Sequence, residues 1–164
     1  SVGSNSQFGM SSGDGTGAIT GGNSFGTSFL TSSNKINYSN STANGSFGSL
    51  STGMKKGAST SSGDGFGAVH GGNVSGNNYS TNSEKTDFSN STANGSFGSL
   101  PQSRSKSFAC SSGAGLGVIA GGNYNADWFS TVSNKITFSN STANGSFGAL
   151  GTGSYGGMSI GYQI

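Results

Sequence analysis

His70 is the single histidine of this 164-residue chain, Cys110 is its single cysteine, and its acids are Asp14, Asp64, Glu84, Asp87 and Asp127. These residue types could do acid–base, nucleophilic or metal chemistry, and their spacing argues against each. Fifty residues to either side of His70 stand Thr20 and Ala120, and Cys110 aligns in the same way with Thr60 and Ile160. A general base needs a positioned partner and a metal needs several ligands. Cys110 excludes an internal disulfide and a cysteine zinc site, and is expected as a small, partly buried side chain. Serine is abundant, but abundance is not the geometry of a Ser-His-Asp device. No catalytic, cofactor-binding or metal residue is expected.

The phrases "SSGDGTG" at 11–17 and "SSGDGFG" at 61–67 are similar to the glycine-aspartate turns of calcium-binding β-rolls, which place Asp in every coil. The third copy has Ala114 there, and one carboxylate per 50 residues does not fill a site needing six to eight oxygens. "GTGAITGG" has the glycines of a dinucleotide turn, but no helix follows and no βαβ pattern surrounds it. Asn-x-Ser/Thr occurs at Asn40, Asn90 and Asn140, and again at Asn44, Asn94 and Asn144. In a secreted eukaryotic chain these are candidate glycan acceptors, although a composition rich in Asn and Ser generates such triplets by itself.

Composition bounds what can hold these residues. Leu, Ile, Val and Phe make up about 16% of the chain, below the roughly 20% of a chain with an ordinary core. Such chains are usually disordered and highly charged, yet only 7% of residues are charged and the net charge is +2. That balance does not suggest a nucleic-acid partner. Lys55, Lys56, Arg104 and Lys106 fall at the ends of repeat units and are expected to form a solvated edge. No apolar run approaches the roughly 18 residues of a membrane helix, and no charged-then-apolar leader opens the chain. The 32 Gly come with one Pro, which is not collagen.

The elements must come from the repeat. "SNSTANGSFG" stands at 39–48, 89–98 and 139–148 without a substitution. The units are 11–60, 61–110 and 111–160, with 1–10 a partial unit and 161–164 the start of another. Between near-identical phrases lie variable stretches, "SFGTSFLTSS", "VSGNNYSTNS" and "YNADWFSTVS". Alternation over 35–39, 85–89 and 135–139 marks strands with one buried face. It predicts Tyr38, Phe88 and Phe138 pointing inward with Ile36 and Ile136. Gly17, Gly48, Gly67, Gly98, Gly117 and Gly148 recur at spacings of 31 and 19, which suits two coils of a β-solenoid per unit, six in all. In a stacked parallel coil equivalent residues sit about 4.8 Å apart in ladders. The expected ladders are Asn23, Asn73 and Asn123; the sequon asparagines; and Phe47, Phe97 and Phe147.

At these residues the chain resembles the repeats of the chlamydial-type polymorphic outer membrane proteins, whose phrases are a Gly-Gly-Ala-Ile turn and a Phe-Ser-Asn-Asn-Thr-Ala strand. "ITFSNSTANGSFGAL" at 136–150 is the nearest match and "GTGAI" at 15–19 a weaker one. Ser41, Ser91 and Ser141 stand where that family has its second Asn, and Phe47, Phe97 and Phe147 where it has a Gly. The resemblance implies an all-β fold, a right-handed parallel β-helix, on a cell surface, and it carries over no catalytic residue.

The expected function is a non-catalytic structural or adhesive element, extracellular or at the cell surface, belonging to a filament. Its expected partners are further copies of itself end to end, neighbouring repeats of a longer chain, and glycans. Two alternatives are an ice- or crystal-surface-binding solenoid and a silk-like matrix protein.

Overall fold

Each Ser-Ser-Gly phrase is a tight turn. Ser12 N–H donates to the Thr16 carbonyl at 2.9 Å, Ser62 to Phe66 at 2.8 Å and Ser112 to Leu116 at 3.0 Å. Gly13 and Gly15 take φ of 86° and 90°, a left-handed conformation open to glycine at no steric cost. A turn this short can join only antiparallel strands, because a parallel pair needs a crossover of a dozen or more residues. The connection at 38–41, with Ser41 at φ 55°, is equally short.

The computed structural model describes residues 4–24, 28–75, 78–125, 128–154, 156 and 160–161. The first unit carries β1 (Ser4–Asn5), β2 (Phe8–Ser11), β3 (Thr16–Thr20), β4 (Asn23–Ser24), β5 (Ser33–Asn37) and β6 (Thr42–Phe47). The second carries β7 (Ala58–Ser61), β8 (Phe66–His70), β9 (Asn73–Val74), β10 (Asn78–Tyr79), β11 (Ser83–Asp87) and β12 (Thr92–Ser96). The third carries β13 (Phe108–Ser111), β14 (Leu116–Ala120), β15 (Asn123–Asn125), β16 (Trp128–Phe129), β17 (Ser133–Thr137) and β18 (Thr142–Phe147), and β19 (Ile160–Gly161) follows. The long strands form three sheets in the orders β2-β3-β5-β6, β7-β8-β11-β12 and β13-β14-β17-β18, each an antiparallel meander. Among the described residues only β19 pairs parallel, setting Ile160 opposite Cys110.

The right-handed parallel β-helix of about six coils is therefore wrong, and with it the beta-solenoid description. Alternating apolar residues report a strand but not the direction of its neighbour. "GTGAI" and "SFGSL" are not equivalent coils either: the first enters β3, the second strand of a sheet, and the second ends β6, the fourth. No α-helix occurs among the described residues.

Register fixes two ends for every sheet. Phe8 lies opposite Thr20, Thr20 opposite Ser33, and Ser33 opposite Phe47. The variable segments (21–32, 71–82, 121–132) and the linkers between units (48–57, 98–107) thus leave the sheets at one end, the loop end. The Ser-Ser-Gly and 38–41 turns share the other, the turn end.

The units pack face to face, with the core clusters between successive sheets. Their first strands stand side by side: Ser11 N–H donates to Ser61 Oγ at 3.2 Å and Ser61 N–H to Ser111 Oγ at 2.8 Å. Their fourth strands run end to tail, with Gly48 N–H on the Ser91 carbonyl and Gly98 N–H on that of Ser141, each at 2.7 Å. Strand twist turns the outer strand of each sheet away from the direction of the inner one. Four-stranded meanders in this arrangement, at a period near 50 residues, are built as the blades of a propeller.

The core lies between the sheets. One cluster joins Phe8, Met10, Phe47, Leu50 and Met54 of the first unit to Val69, Phe88 and Ala93 of the second; another joins Ala68, Phe97 and Leu100 to Ile119, Ile136 and Phe138. Close approach replaces side-chain bulk. A Cβ on Gly67 would lie 2.8 Å from Met10 Sδ, and one on Gly117 2.9 Å from Thr60 Cγ2. This is how a chain so poor in large apolar residues still fills its interior.

Candidate functional site

His70 is fully buried inside the second sheet. Its Nε2 lies 2.9 Å from Thr60 Oγ1 and its Nδ1 2.9 Å from Ser83 Oγ, and the Phe97 ring stands edge-on at 5.4 Å. Burial pushes its pKa down to about 3, so the imidazole is neutral. It is a core group bridging two hydroxyls. Cys110 is exposed rather than partly buried. Its counterparts Met10 and Thr60 are covered by the sheet of the following unit, and no described sheet covers Cys110.

Asp14 is consumed by its own turn. Its Oδ1 accepts from the Ser12 hydroxyl, from Thr16 Oγ1 at 2.7 Å and from Thr16 N–H at 3.1 Å. The Ser12 bond, followed by that of Thr16, holds its carboxyl below the usual range. No group of three or more His, Cys, Asp or Glu able to hold a metal occurs among the described residues.

The sequon asparagines form no vertical ladder. Asn40, Asn90 and Asn140 sit in the exposed turns between third and fourth strands and bond locally: Thr42 Oγ1 donates to Asn40 Oδ1 at 2.7 Å, Asn90 Nδ2 to Asp87 Oδ2 at 2.7 Å, and Thr142 Oγ1 to Asn140 Oδ1 at 2.8 Å. Asn44, Asn94 and Asn144 lie exposed on the outermost strands. Asn73 and Asn123 are buried, and their backbones tie the loops to the linkers at Lys55 and Ser105; Asn23 pairs in the same way with Asn5. Phe88 and Phe138 point into the core, whereas Tyr38 is 55% exposed. Phe47 and Phe97 are buried and Phe147 is exposed.

The loop end collects what sequence reading passed over. Arg104 is completely buried, not part of a solvated edge. It crosses to the third unit, where Nη1 donates to the Val132 carbonyl at 3.0 Å and Nη2 to Asn134 Oδ1 at 2.5 Å, and burial lowers its pKa to about 10. At the preceding junction Glu84 makes the crossing, accepting from Ser51 N–H at 2.6 Å and Thr52 N–H at 3.2 Å. Lys55 Nζ lies 4.6 Å from the centre of the Phe29 ring. In the third unit Tyr124 and Trp128 tilt together at 6.4 Å, and Trp128 and Phe129 are largely exposed. The aromatic signal was present in the variable segments; that they converge at one end was not.

No family model and no curated protein matches the chain. Among solved structures it is similar to one described as "Structure of YjhT", with a TM-score of 0.70 at 14% identity. The match covers 96% of this chain and 59% of that one, so the chain spans about three-fifths of the length of that structure. At this identity the likeness speaks for the fold alone.

Proposed function

We propose that the chain is a non-catalytic recognition module, extracellular or at the cell surface, that binds through its loop end. The observation that carries this reading is the placement of the variable segments. Within these segments no position of 24–30 carries the same residue in all three units, and the strands that flank all three segments place them at the same end of their sheets. Binding residues concentrate on loops held by a rigid scaffold. Trp and Tyr are among the side chains that dominate contact energy, and exposed Trp128 and Phe129 with half-buried Tyr124 supply aromatic surface here, among Asn and Ser able to hydrogen-bond a polyol. Carbohydrate is the ligand class this combination fits. The exposure of all six sequon asparagines supports an extracellular setting.

Self-association belongs to the same proposal: the Tyr38 side and the Phe147 side of the array carry halves of the junction that unites its units, which a second copy or a neighbouring repeat of a longer chain can complete. The ice-binding alternative was framed on a β-solenoid, and the sheets here are antiparallel meanders instead.

The test is retention on immobilised glycans. Wild-type chain should be retained on at least one, Trp128→Ser should lose retention, and Leu116→Ser, which removes an exposed apolar residue at the turn end, should keep it. Equal retention of all three, or of none, would overturn the reading.

A further inference from the structure

Glu84 is a buried acid whose counterparts in the other units are asparagines, Asn34 and Asn134. On β11 it lies opposite Ser96 and Val69, and Val69 belongs to the core cluster shared with the first unit, so the carboxylate faces that unit. Its Oε2 accepts from Ser51 N–H at 2.6 Å and its Oε1 from Thr52 N–H at 3.2 Å. A carboxylate has about four acceptor positions, so part of its capacity remains. A buried charge is ordinarily paired. The chain has seven Lys and Arg side chains, and none of them lines the space beside Glu84. Lys85, next in the strand, sets its Nζ 4.0 Å from the centre of the Phe66 ring, toward the turn end, and Lys55 sets its own over the Phe29 ring.

That space is a cavity of about 250 Å³ between the first linker and the outer strands of the second sheet. Besides Glu84 it is lined by Ser51, Asn82, Asn94, Ser96 and Ser99 among others. Its volume is several times the share of one water in the liquid, about 30 Å³, and admits a small organic molecule. One carboxylate among neutral oxygens falls short of what a divalent metal asks. At the next junction the chain fills the corresponding role itself. Asn134, aligned with Glu84, receives Arg104 Nη2 at 2.5 Å, and Val132, aligned with Asn82, accepts Nη1 on its carbonyl at 3.0 Å. Met54 stands where Arg104 does, so the first junction has the anion without that cation.

We propose that this cavity binds a protonated primary amine carried on a small hydroxylated molecule, with the ammonium on Glu84 and the hydroxyls on Asn82, Asn94 and the serines. An ammonium has three donors and no acceptor, which suits the open positions of a carboxylate and the oxygens of side-chain amides. Hydrogen bonds between two charged groups are the strong ones, and a buried carboxylate makes them stronger than an exposed one does. The amine can come from an amino sugar or from a short amino alcohol. The cavity uses none of the aromatic residues of the third unit, so it stands or falls independently of the loop-end glycan reading.

Amide chemical shifts of the 15N-labelled chain at low ionic strength test it, with glucosamine, ethanolamine and glucose as separate titrants. At least one of the two amines should shift the Ser51, Thr52 and Glu84 amides saturably. Glucose, which has a hydroxyl in place of the amine of glucosamine, should bind more weakly by roughly tenfold or more. Glu84→Gln should weaken amine binding by a similar factor. Asn82→Val, which copies Val132 at an exposed position, should weaken it too with the remaining spectrum intact, and it decides the matter where Glu84→Gln disturbs the junction. Asn44→Ala, on the outer strand of the first unit, should leave binding unchanged. Tighter binding of glucosamine than of ethanolamine identifies an amino sugar, and the reverse identifies a free amine. No saturable shift with either amine, glucose bound as tightly as the amines, shifts confined to Trp128 and its neighbours, or undiminished binding by Asn82→Val would overturn the site.

Discussion

The ring of Phe97 meets that of Phe138 edge to face across the junction of the second and third units, 5.4 Å between centroids. Phe47 and Phe88 repeat the contact one junction earlier at 5.8 Å. Because the core lies between sheets, these pairs hold units together more than they fill any one unit. Phe88→Ala should cost about 3–5 kcal/mol, the usual toll of deleting a buried aromatic. Phe147→Ala removes the same side chain where no partner covers it and should cost less than about 0.5 kcal/mol. Urea unfolding of the two variants separates them, and equal losses would refute an inter-unit core.

His70 makes stability depend on acid. Its pKa is about 3 in the folded chain and near 6.5 when unfolded, so between these values the unfolded state binds the extra proton and stability falls as pH falls. The loss should reach about 2 kcal/mol from pH 6.5 to pH 5, with a plateau above pH 6.5. His70→Thr, which copies Thr20 of the first unit, should flatten that slope. Paired urea melts at the two pH values measure it. An unchanged slope in the variant would mean that the ring is solvated.

The two junctions solve one problem with different residues, and Pro101 is the reason. Glu84 is held by the amides of Ser51 and Thr52. At the next junction the residue aligned with Ser51 is Pro101, which has no N–H to give. Asn134 replaces the glutamate, and Arg104 donates to it instead. Arg104→Met, copying Met54, should cost about 1–3 kcal/mol by leaving the Asn134 amide oxygen without its donor and the Val132 carbonyl with the Gly121 N–H alone. Adding Pro101→Ser and Asn134→Glu rebuilds the first junction and should recover most of that loss. A triple variant no more stable than Arg104→Met alone would sink this account.

What could be read from the residues follows the same physics. The 50-residue unit and the strand positions were legible because identity and alternation are local properties. The first hairpin was hidden because Gly13 and Gly15 look like any glycines until their φ is known. The choice between stacked coil and meander hung on that turn. Arg104 and Lys106 are two residues apart in sequence, yet one is buried against the next unit and the other is half-buried in the same linker. A charge count at the ends of units cannot separate them, since their difference lies in which sheet each linker crosses.

Phe147 and Tyr38 show what the array can still bind. Within the chain Phe47 and Phe97 are buried against Phe88 and Phe138 of the following units; Phe147 is 54% exposed and Tyr38, aligned with Phe88, is 55% exposed. Gly148, whose counterparts Gly48 and Gly98 donate to the next unit, stands in open space. The two faces are thus the two halves of one junction, and a second copy placed head to tail would set its Tyr38 against Phe147. Head-to-tail contact repeated from copy to copy closes when the rotation allows, and contact that closes gives a ring of fixed size. Two copies bring six units, within the four to eight of known propellers. Sedimentation of the 164-residue chain over a concentration series should show a monomer passing to a dimer that then saturates. Phe147→Ser should shift that transition to at least tenfold higher concentration with the fold intact. Growth without limit would indicate an open array instead of a ring, and a folded monomer at every concentration would show that these faces do not join copies at all.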